Sequence, residues 1–261
     1  MTHPTPGTPL HVSALGVTIA IHVGHEGLRA LAATAWSGCA ASAPHDGEGA
    51  RQVSAPVVAA DAGPAELARA LQDLTQLVTR EAIAARAGRL LMFHAGALCD
   101  QTTGATIAMV APGGTGKTTV VRALGRGRGY VSDETVAVDD HHRVVPYCKP
   151  LSVRRPERPD VKDELAPAQL SLAAPAVQPW LAGLVVLRRD LPAGAGVLVE
   201  PVDALDALVL LAPETSSLAR LDRPLQRLAR LIESVGGLRR VRFHDAVDLE
   251  PLVADVLARR R

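Results

Sequence analysis

APGGTGKT, residues 111–118, follows the apolar run ATIAMV (105–110) and precedes a helical pattern that begins at Lys117. A small residue, four variable positions and then Gly-Lys-Thr form a spacing in which backbone N–H groups converge on phosphate oxygens. Ala111 stands where this pattern usually has its first glycine. Because a strand enters the stretch and a helix leaves it, the sequence predicts a phosphate-binding loop here.

The pattern assigns a role to each position of the loop. Lys117 would reach the β- and γ-phosphates of a nucleoside triphosphate, and Thr118 would place its hydroxyl on Mg²⁺. The positive end of the helix dipole would favour the same anion. The predicted nucleotide ligands are Gly113, Gly114, Thr115, Gly116, Lys117, Thr118 and Thr119.

An acidic pair follows the loop closely. GYVSDETVAVDD (129–140) has the pattern of a strand, and sixteen positions separate Lys117 from Asp133, which is room for one helix and one strand. Parallel strands joined by a helix end at the same edge of a sheet, so Asp133 and Glu134 should face the loop. Asp133 is the first choice for catalytic base or Mg²⁺-linked acid, and Glu134 for the other role. The alternative is that Ser132 and Asp133 only begin a turn.

Composition narrows the class of protein. The 261 residues are 48 % apolar and 21 % charged, which is typical of a globular fold. The net charge of +1 and two each of Trp, Tyr and Phe argue against a nucleic-acid partner. No apolar run is long enough to span a bilayer, and the N-terminus lacks a secretory pattern, so we expect a cytoplasmic protein without membrane contact. Three cysteines without CxxC spacing indicate neither zinc nor a disulfide framework.

Hydrophobic periodicity predicts an α/β fold in two parts, a small N-terminal α/β region (1–88) and a catalytic domain (89–261) built as a mixed sheet around the strand-helix-strand crossover. The N-terminal part should hold a hairpin (10–23), a loop (41–56) and an amphipathic helix (64–87). The second part should hold strands at 90–99, 105–110, 144–148, 181–187, 196–201 and 238–243, helices at 117–126, 203–212, 217–235 and from 246, and a mobile surface segment at 155–169.

Four segments together resemble one known family. HAGAL (94–98), the loop, GYVSDETVAV (129–138) and PYCKPLSV (146–153) look like the HPr kinase/phosphorylase family, and most of all like its short kinase relatives that modify lasso-peptide precursors or free serine. The likeness covers roughly residues 90–155, with a weaker echo at 238–258. It implies an HPr kinase/PEP carboxykinase-like fold.

The resemblance also implies an activity, namely ATP- and Mg²⁺-dependent phosphorylation of a hydroxyl on a peptide, protein or small molecule. His94 matches the family's histidine on the strand before the loop strand, and Asp133 and Glu134 match its acidic pair. That pair is commonly Asp-Asp in the family, so the division of base and metal roles stays open. The second signature that supports phosphorolysis is missing downstream. Members often assemble into oligomers, so a homo-oligomer is an expectation of the resemblance.

Several alternatives stay open. His94 lies in an apolar strand, where a lone histidine is often a hydrogen-bonded core residue. Lys149, Arg154 and Arg155 are candidates for contact with phosphate or substrate, or are solvated charges. Arg188 and Arg189 would reach the nucleotide if their strand ends beside the loop. Instead of a kinase, the chain could be a P-loop ATP-binding regulator that works through a partner, or a pseudokinase that binds metal without transferring phosphate.

Overall fold

A computed structural model describes residues 7–43, 50–155 and 158–261, except the side chains of Arg155, Arg158 and Pro159. The chain divides into two compact units. The first contains residues 1–85 and 147–170, and the second contains residues 86–146 and 171–261. The polypeptide therefore leaves the second unit after Pro146 and returns to it at Ser171.

The described residues form strands and helices that alternate along the chain. The strands are β1 (Leu10–Ala14), β2 (Val17–His22), β3 (Arg51–Ser54), β4 (Leu91–Cys99), β5 (Ala105–Val110), β6 (Gly129–Ser132), β7 (Thr135–Val138), β8 (Val144–Val145), β9 (Leu151–Arg155), β10 (Arg158–Leu165), β11 (Trp180–Arg188), β12 (Leu198–Val202), β13 (Thr215–Ser216) and β14 (Leu238–Arg242). The α-helices are α1 (Glu26–Ala35), α2 (Pro64–Arg86), α3 (Lys117–Leu124), α4 (Ala204–Leu211), α5 (Pro224–Ser234) and α6 (Glu250–Leu257). A mixed α/β architecture is thus confirmed.

The first unit contains a three-stranded sheet and a two-stranded ribbon. β1 and β2 form the predicted hairpin, whose turn has positive φ at Leu15 and Gly16. β3 runs parallel to β2, so the prediction of a loop over 41–56 is wrong for residues 51–54. The predicted amphipathic helix is confirmed as α2, which buries Leu71, Leu74 and Val78 at helical spacing.

β9 and β10 pair antiparallel as the ribbon of the first unit. The prediction of a mobile segment over 155–169 is therefore wrong for residues 158–165, and a short 3₁₀ helix follows at Pro167–Leu170. The charged residues misled the prediction because a two-stranded ribbon can present charges along an exposed face and still bury Val161.

A mixed sheet organises the second unit. Its strands follow the order β12-β14-β11-β5-β4-β7-β8, and both β6 and β13 also pair with β4. β11 is parallel to β5 and to β14, whereas β4 is antiparallel to β5, β6 and β7. Since β5 and β6 both oppose β4, they run in the same direction with β4 between them. The last residues of β5 and β6 accordingly lie at the same end of the sheet.

Helices cover both faces of this sheet. Alternate residues of a strand point to opposite faces. Phe93 and Ala95 of β4 belong to a hydrophobic cluster with Leu211 of α4 and Leu228 of α5. On the other face a Cβ added to Gly96 would lie 2.9 Å from Val121 of α3. The absence of a side chain at Gly96 therefore lets α3 pack directly on β4.

No helix within the described ranges is both long and apolar enough to cross a membrane.

Candidate functional site

The loop between β5 and α3 has the backbone that a phosphate cradle requires. Gly114 and Gly116 have φ values of 86° and 103°, in the left-handed region that favours glycine. A Cβ built on Gly113 or Gly114 would meet no heavy atom within 4 Å, so open space adjoins the loop at both positions. The exposed residues of the loop, from Pro112 to Gly114, are therefore accessible to an anion.

Helix α3 begins at the end of this loop. Gly116 is its N-cap, and the Val120 N–H donates to the Gly116 carbonyl at 3.0 Å. The first N–H groups of a helix have no intrahelical partner, and the helix dipole adds positive potential there. The N–H groups of Thr118 and Thr119 are of this kind, so the start of α3 suits a negatively charged group.

Lys117 is the cation of the loop and is only 7 % exposed. Its Nζ donates to the carbonyl oxygens of Ala111 at 2.5 Å and Pro112 at 3.2 Å. Burial lowers the pKa of Lys117 from 10.5 to about 8, and the nearby carboxylates of Glu214, Asp133 and Glu134 oppose that shift. The ammonium thus lies among three carboxylates and holds the two ends of the loop together.

Asp133 is buried and accepts two hydroxyl hydrogen bonds. Thr118 Oγ1 donates to Oδ2 at 2.7 Å, and Tyr130 O–H donates to Oδ1 at 3.1 Å. The hydroxyl that the sequence assigned to Mg²⁺ is thus in direct contact with the carboxylate that the sequence assigned to the same ion. The two residues lie at the ends of different elements, α3 and β6, so the contact is a tertiary one.

A turn brings the acidic pair into this position. Ser132 Oγ accepts the N–H groups of Glu134 and Thr135, each at 3.2 Å. The prediction of one continuous strand over 129–140 is therefore wrong, because this turn separates β6 from β7. The alternative that Ser132 begins a turn is correct, and the turn itself directs Asp133 toward Thr118.

His94 lies on β4 between the loop and the acidic pair. Its carbonyl accepts the Ala111 N–H at 3.3 Å, and the N–H of the next residue, Ala95, donates to the Glu134 carbonyl at 3.1 Å. These two backbone bonds lie on opposite edges of β4. The structure thus brings His94, Lys117, Thr118, Asp133 and Glu134 to one end of the sheet.

Glu214 also belongs to this region, and sequence reasoning missed it. Its Oε2 lies 3.1 Å from His94 Nδ1, and its side chain is 18 % exposed. The short strand β13 follows it directly and pairs with β4 through Thr215 and Phe93. Glu214 is 120 positions from His94. Because a two-residue strand leaves no readable pattern, no local signal in the sequence could have identified the contact.

A second cation lies near the loop. β11 is parallel to β5 and adjacent to it, so Arg189, which follows β11, lies at the end of the sheet where the loop begins. A Cβ on Gly116 would be 4.0 Å from Arg189 Nη1. Arg189 Nε donates to the His244 carbonyl at 2.8 Å, which fixes the guanidinium from the opposite side.

The predicted substrate residues belong to the first unit, apart from these groups. Lys149 is buried, and its Nζ donates to the Pro150 carbonyl at 2.7 Å. Arg154 is exposed on β9. The side chain of Arg155 lies outside the described residues. Their roles in substrate contact stay predictions.

The residues present could hold a small divalent cation only together with ligands from elsewhere. Among the described residues, no three His, Cys, Asp or Glu side chains are grouped closely enough to form a metal site. Mg²⁺ in nucleotide sites commonly takes one or two carboxylates and completes its shell with phosphate oxygens and water. The Thr118 hydroxyl and the Asp133 carboxylate, 2.7 Å apart, match that donor chemistry.

Comparison with known proteins gives one weak structural similarity. No family model matches the sequence, and no curated protein matches it. Among solved structures, the Hpr(Ser) kinase/phosphatase from Coxiella burnetii aligns with 64 % of this chain and 93 % of that chain, at 12 % identity and a TM-score of 0.34. Because an alignment at that TM-score carries no argument, the conclusions below rest on the geometry of the chain itself.

Proposed function

We propose that this protein is a Mg-ATP-dependent kinase that transfers the γ-phosphoryl group to a serine-like hydroxyl of a peptide, protein or small molecule. The observation that carries the proposal is the contact between Thr118 and Asp133 at the start of α3, beside a glycine loop that buries Lys117. A loop that served only as a turn would have no need of a buried lysine, a helix start and a carboxylate at one point.

The nucleotide phosphates would bind to the N–H groups of the loop from Gly113 to Thr119. Lys117 would exchange its bonds to the Ala111 and Pro112 carbonyls for bonds to phosphate oxygens. Arg189 would add a second positive charge at the same end of the sheet. Transfer of a phosphoryl group depends mainly on such positioning and charge stabilisation.

Mg²⁺ would be held by Thr118 and Asp133, with Glu134 as the adjacent carboxylate, and it would neutralise charge on the phosphates. Asp133 and Glu134 remain the paired carboxylates of the proposal, one for the metal and one for the acceptor. His94 lies beside both the loop and the pair.

The wider proposal includes an HPr-kinase-like catalytic domain over residues 89–261 after a smaller region over 1–88. It also places Lys149, Arg154 and Arg155 on the side of the acceptor. The motifs at 94–98, 129–138 and 146–153 support this part, since they carry the resemblance. A cytoplasmic location and a homo-oligomer accompany it.

The deciding experiment measures ADP release and transfer of label from [γ-³²P]ATP, with serine and Ser-containing peptides as acceptors. Wild type should label an acceptor, and Asp133→Asn should still bind ATP but transfer about 10²- to 10³-fold more slowly. Asp206→Asn, a change at an exposed residue of α4, is the matched control and should behave like wild type. Tight ATP binding with no labelled acceptor and no effect of Asp133→Asn would instead indicate an ATP-binding regulator.

A further inference from the structure

Glu214 is placed by the sheet directly opposite His94. β5 pairs with β4 as far as Val110 and Ala95, and β13 pairs with the same edge of β4 from Phe93 onward. The two strands follow one another along this edge, and only His94 lies between them. The loop therefore starts, and Glu214 ends its short 3₁₀ segment, at the same position of β4.

The side chain of His94 lies on the face of the sheet that α3 covers. Gly96 is two residues further along β4, and a Cβ there would point at Val121 and lie 3.6 Å from Lys117 Cβ. Residues two apart in a strand share a face, so His94 lies on the same face as Lys117. Its side chain is 38 % exposed, which leaves the imidazole open to a substrate.

The contact with Glu214 determines which ring nitrogen carries hydrogen. A carboxylate accepts hydrogen bonds, so His94 Nδ1 must donate to Glu214 Oε2 across the 3.1 Å between them. Neutral His94 then presents Nε2 with a free lone pair. Free histidine prefers the opposite tautomer, so Glu214 converts His94 into a proton acceptor at Nε2.

Asp133 is less suited to that task. Both of its oxygens already accept O–H donors, Thr118 at Oδ2 and Tyr130 at Oδ1. Hydrogen bonds to a carboxylate stabilise its charged form, which makes it a poorer base. Its contact with Thr118 places it with the metal ligands instead.

We propose that His94 is the catalytic base and that Glu214 is its positioning residue; this inference rests on the kinase function proposed above. Nε2 of His94 removes the proton of the acceptor hydroxyl as the acceptor oxygen bonds to the γ-phosphorus. The bond from that phosphorus to the β,γ-bridging oxygen breaks, and its electron pair leaves with ADP. Glu214 stabilises the imidazolium through Nδ1–H, and the proton then passes from Nε2 to solvent.

The tautomer of His94 is tested without nucleotide by ¹⁵N–¹H multiple-bond NMR of the imidazole, at a pH that leaves it neutral. Wild type should show hydrogen on Nδ1, and Glu214→Ala should shift the population to hydrogen on Nε2. Glu233→Ala, at an exposed residue of α5, should leave the spectrum of His94 unchanged. Hydrogen on Nε2 in the wild type overturns the proposal.

Kinetics test the base role. His94→Gln should slow acceptor labelling by about 10²- to 10⁴-fold, and Glu214→Ala by about 10- to 100-fold, with ATP affinity not weakened. Adding Glu214→Ala to His94→Gln should cost no more than His94→Gln alone, since Glu214 acts through His94. Glu214→Gln keeps the volume of the side chain but not its charge, and should fall between wild type and Glu214→Ala even if the alanine variant folds poorly.

The outcomes separate the two proposals. If no acceptor is labelled by wild type, the kinase function fails, and the base role fails with it whatever the NMR spectrum shows. If wild type labels an acceptor but His94→Gln retains full activity while Glu134→Gln loses it, the kinase stands and the base is Glu134.

Discussion

Two lysines of this chain are buried in different surroundings. Lys117 and Lys149 are 7 % and 1 % exposed, and each Nζ donates to backbone carbonyls nearby. Lys117 starts a helix after two glycines with positive φ, and Lys149 lies in the extended stretch that leads into β9. Burial of a lysine is thus common to both regions. The backbone around Lys117 is what makes its region a candidate phosphate site.

The largest expected effect comes from removing each ammonium in turn. Lys117→Met should lower ATP turnover by about 10²- to 10³-fold, because it removes a preorganised charge from the phosphate site. Lys149→Met should leave ATP affinity unchanged. Isothermal titration with ATP and ADP-release assays give both numbers. A loss of ATP affinity in Lys149→Met as large as that in Lys117→Met would break the comparison.

The second effect is a pH dependence of stability. The pKa of Lys117 falls from 10.5 to about 8 on folding, so between these values the unfolded chain binds more protons than the folded one. The free energy of unfolding should therefore rise with pH across this window, by up to about 3 kcal/mol. Below pH 8 both states are charged, and folding carries the full cost of burying the ammonium.

Urea unfolding at pH 7 and pH 10 measures this rise. Lys117→Met should lose it, and Lys149→Met should keep it. Equal pH dependence in wild type and Lys117→Met would show that Lys117 keeps an ordinary pKa in the folded protein.

The third effect concerns the backbone that distinguishes the two regions. Gly116→Ala and Gly127→Ala both force alanine into positive φ, at 103° and 77°, and should each cost about 1–2 kcal/mol of stability. Only Gly116→Ala should also weaken ATP binding, because its Cβ lies beside Arg189 and the phosphate cradle. Thermal melts and ATP titrations of both variants test this. Equal loss of ATP affinity in both would remove the special role of the loop.

The smallest effect should come from the second cation. Arg189→Ala should weaken ATP binding by about tenfold through the loss of one charge near the phosphates. Arg188→Ala removes the same charge one residue earlier, where the strand alternation turns the side chain to the other face, and should have little effect. Titrations at two salt concentrations measure both. Identical losses would indicate only a general effect of charge.

Some of the site could be predicted because its signals are local. The loop needs consecutive residues with special backbone conformations, and the spacing from Lys117 to Asp133 follows from the length of one helix and one strand. Those constraints lie within a short stretch of chain. The contact of Thr118 with Asp133 was therefore within reach of the sequence.

Glu214 could not be predicted for a physical reason. Its position depends on the register of β13 against β4, and register is set by tertiary packing of a strand only two residues long. The same limit explains β3, where a four-residue strand buries Val53 alone. It also explains the acidic turn, because the pattern of GYVSDETVAV is apolar on both sides of Ser132 and does not show the break.

Gly96 ties the evolution of two distant positions together. Any side chain there would meet Val121 Cγ2 at 2.9 Å and displace the start of α3 from the sheet. A larger residue at position 96 is therefore compatible with the loop only when position 121 becomes smaller in the same chain. Among natural variants, positions 96 and 121 should change as a pair, with their summed side-chain volume held nearly constant.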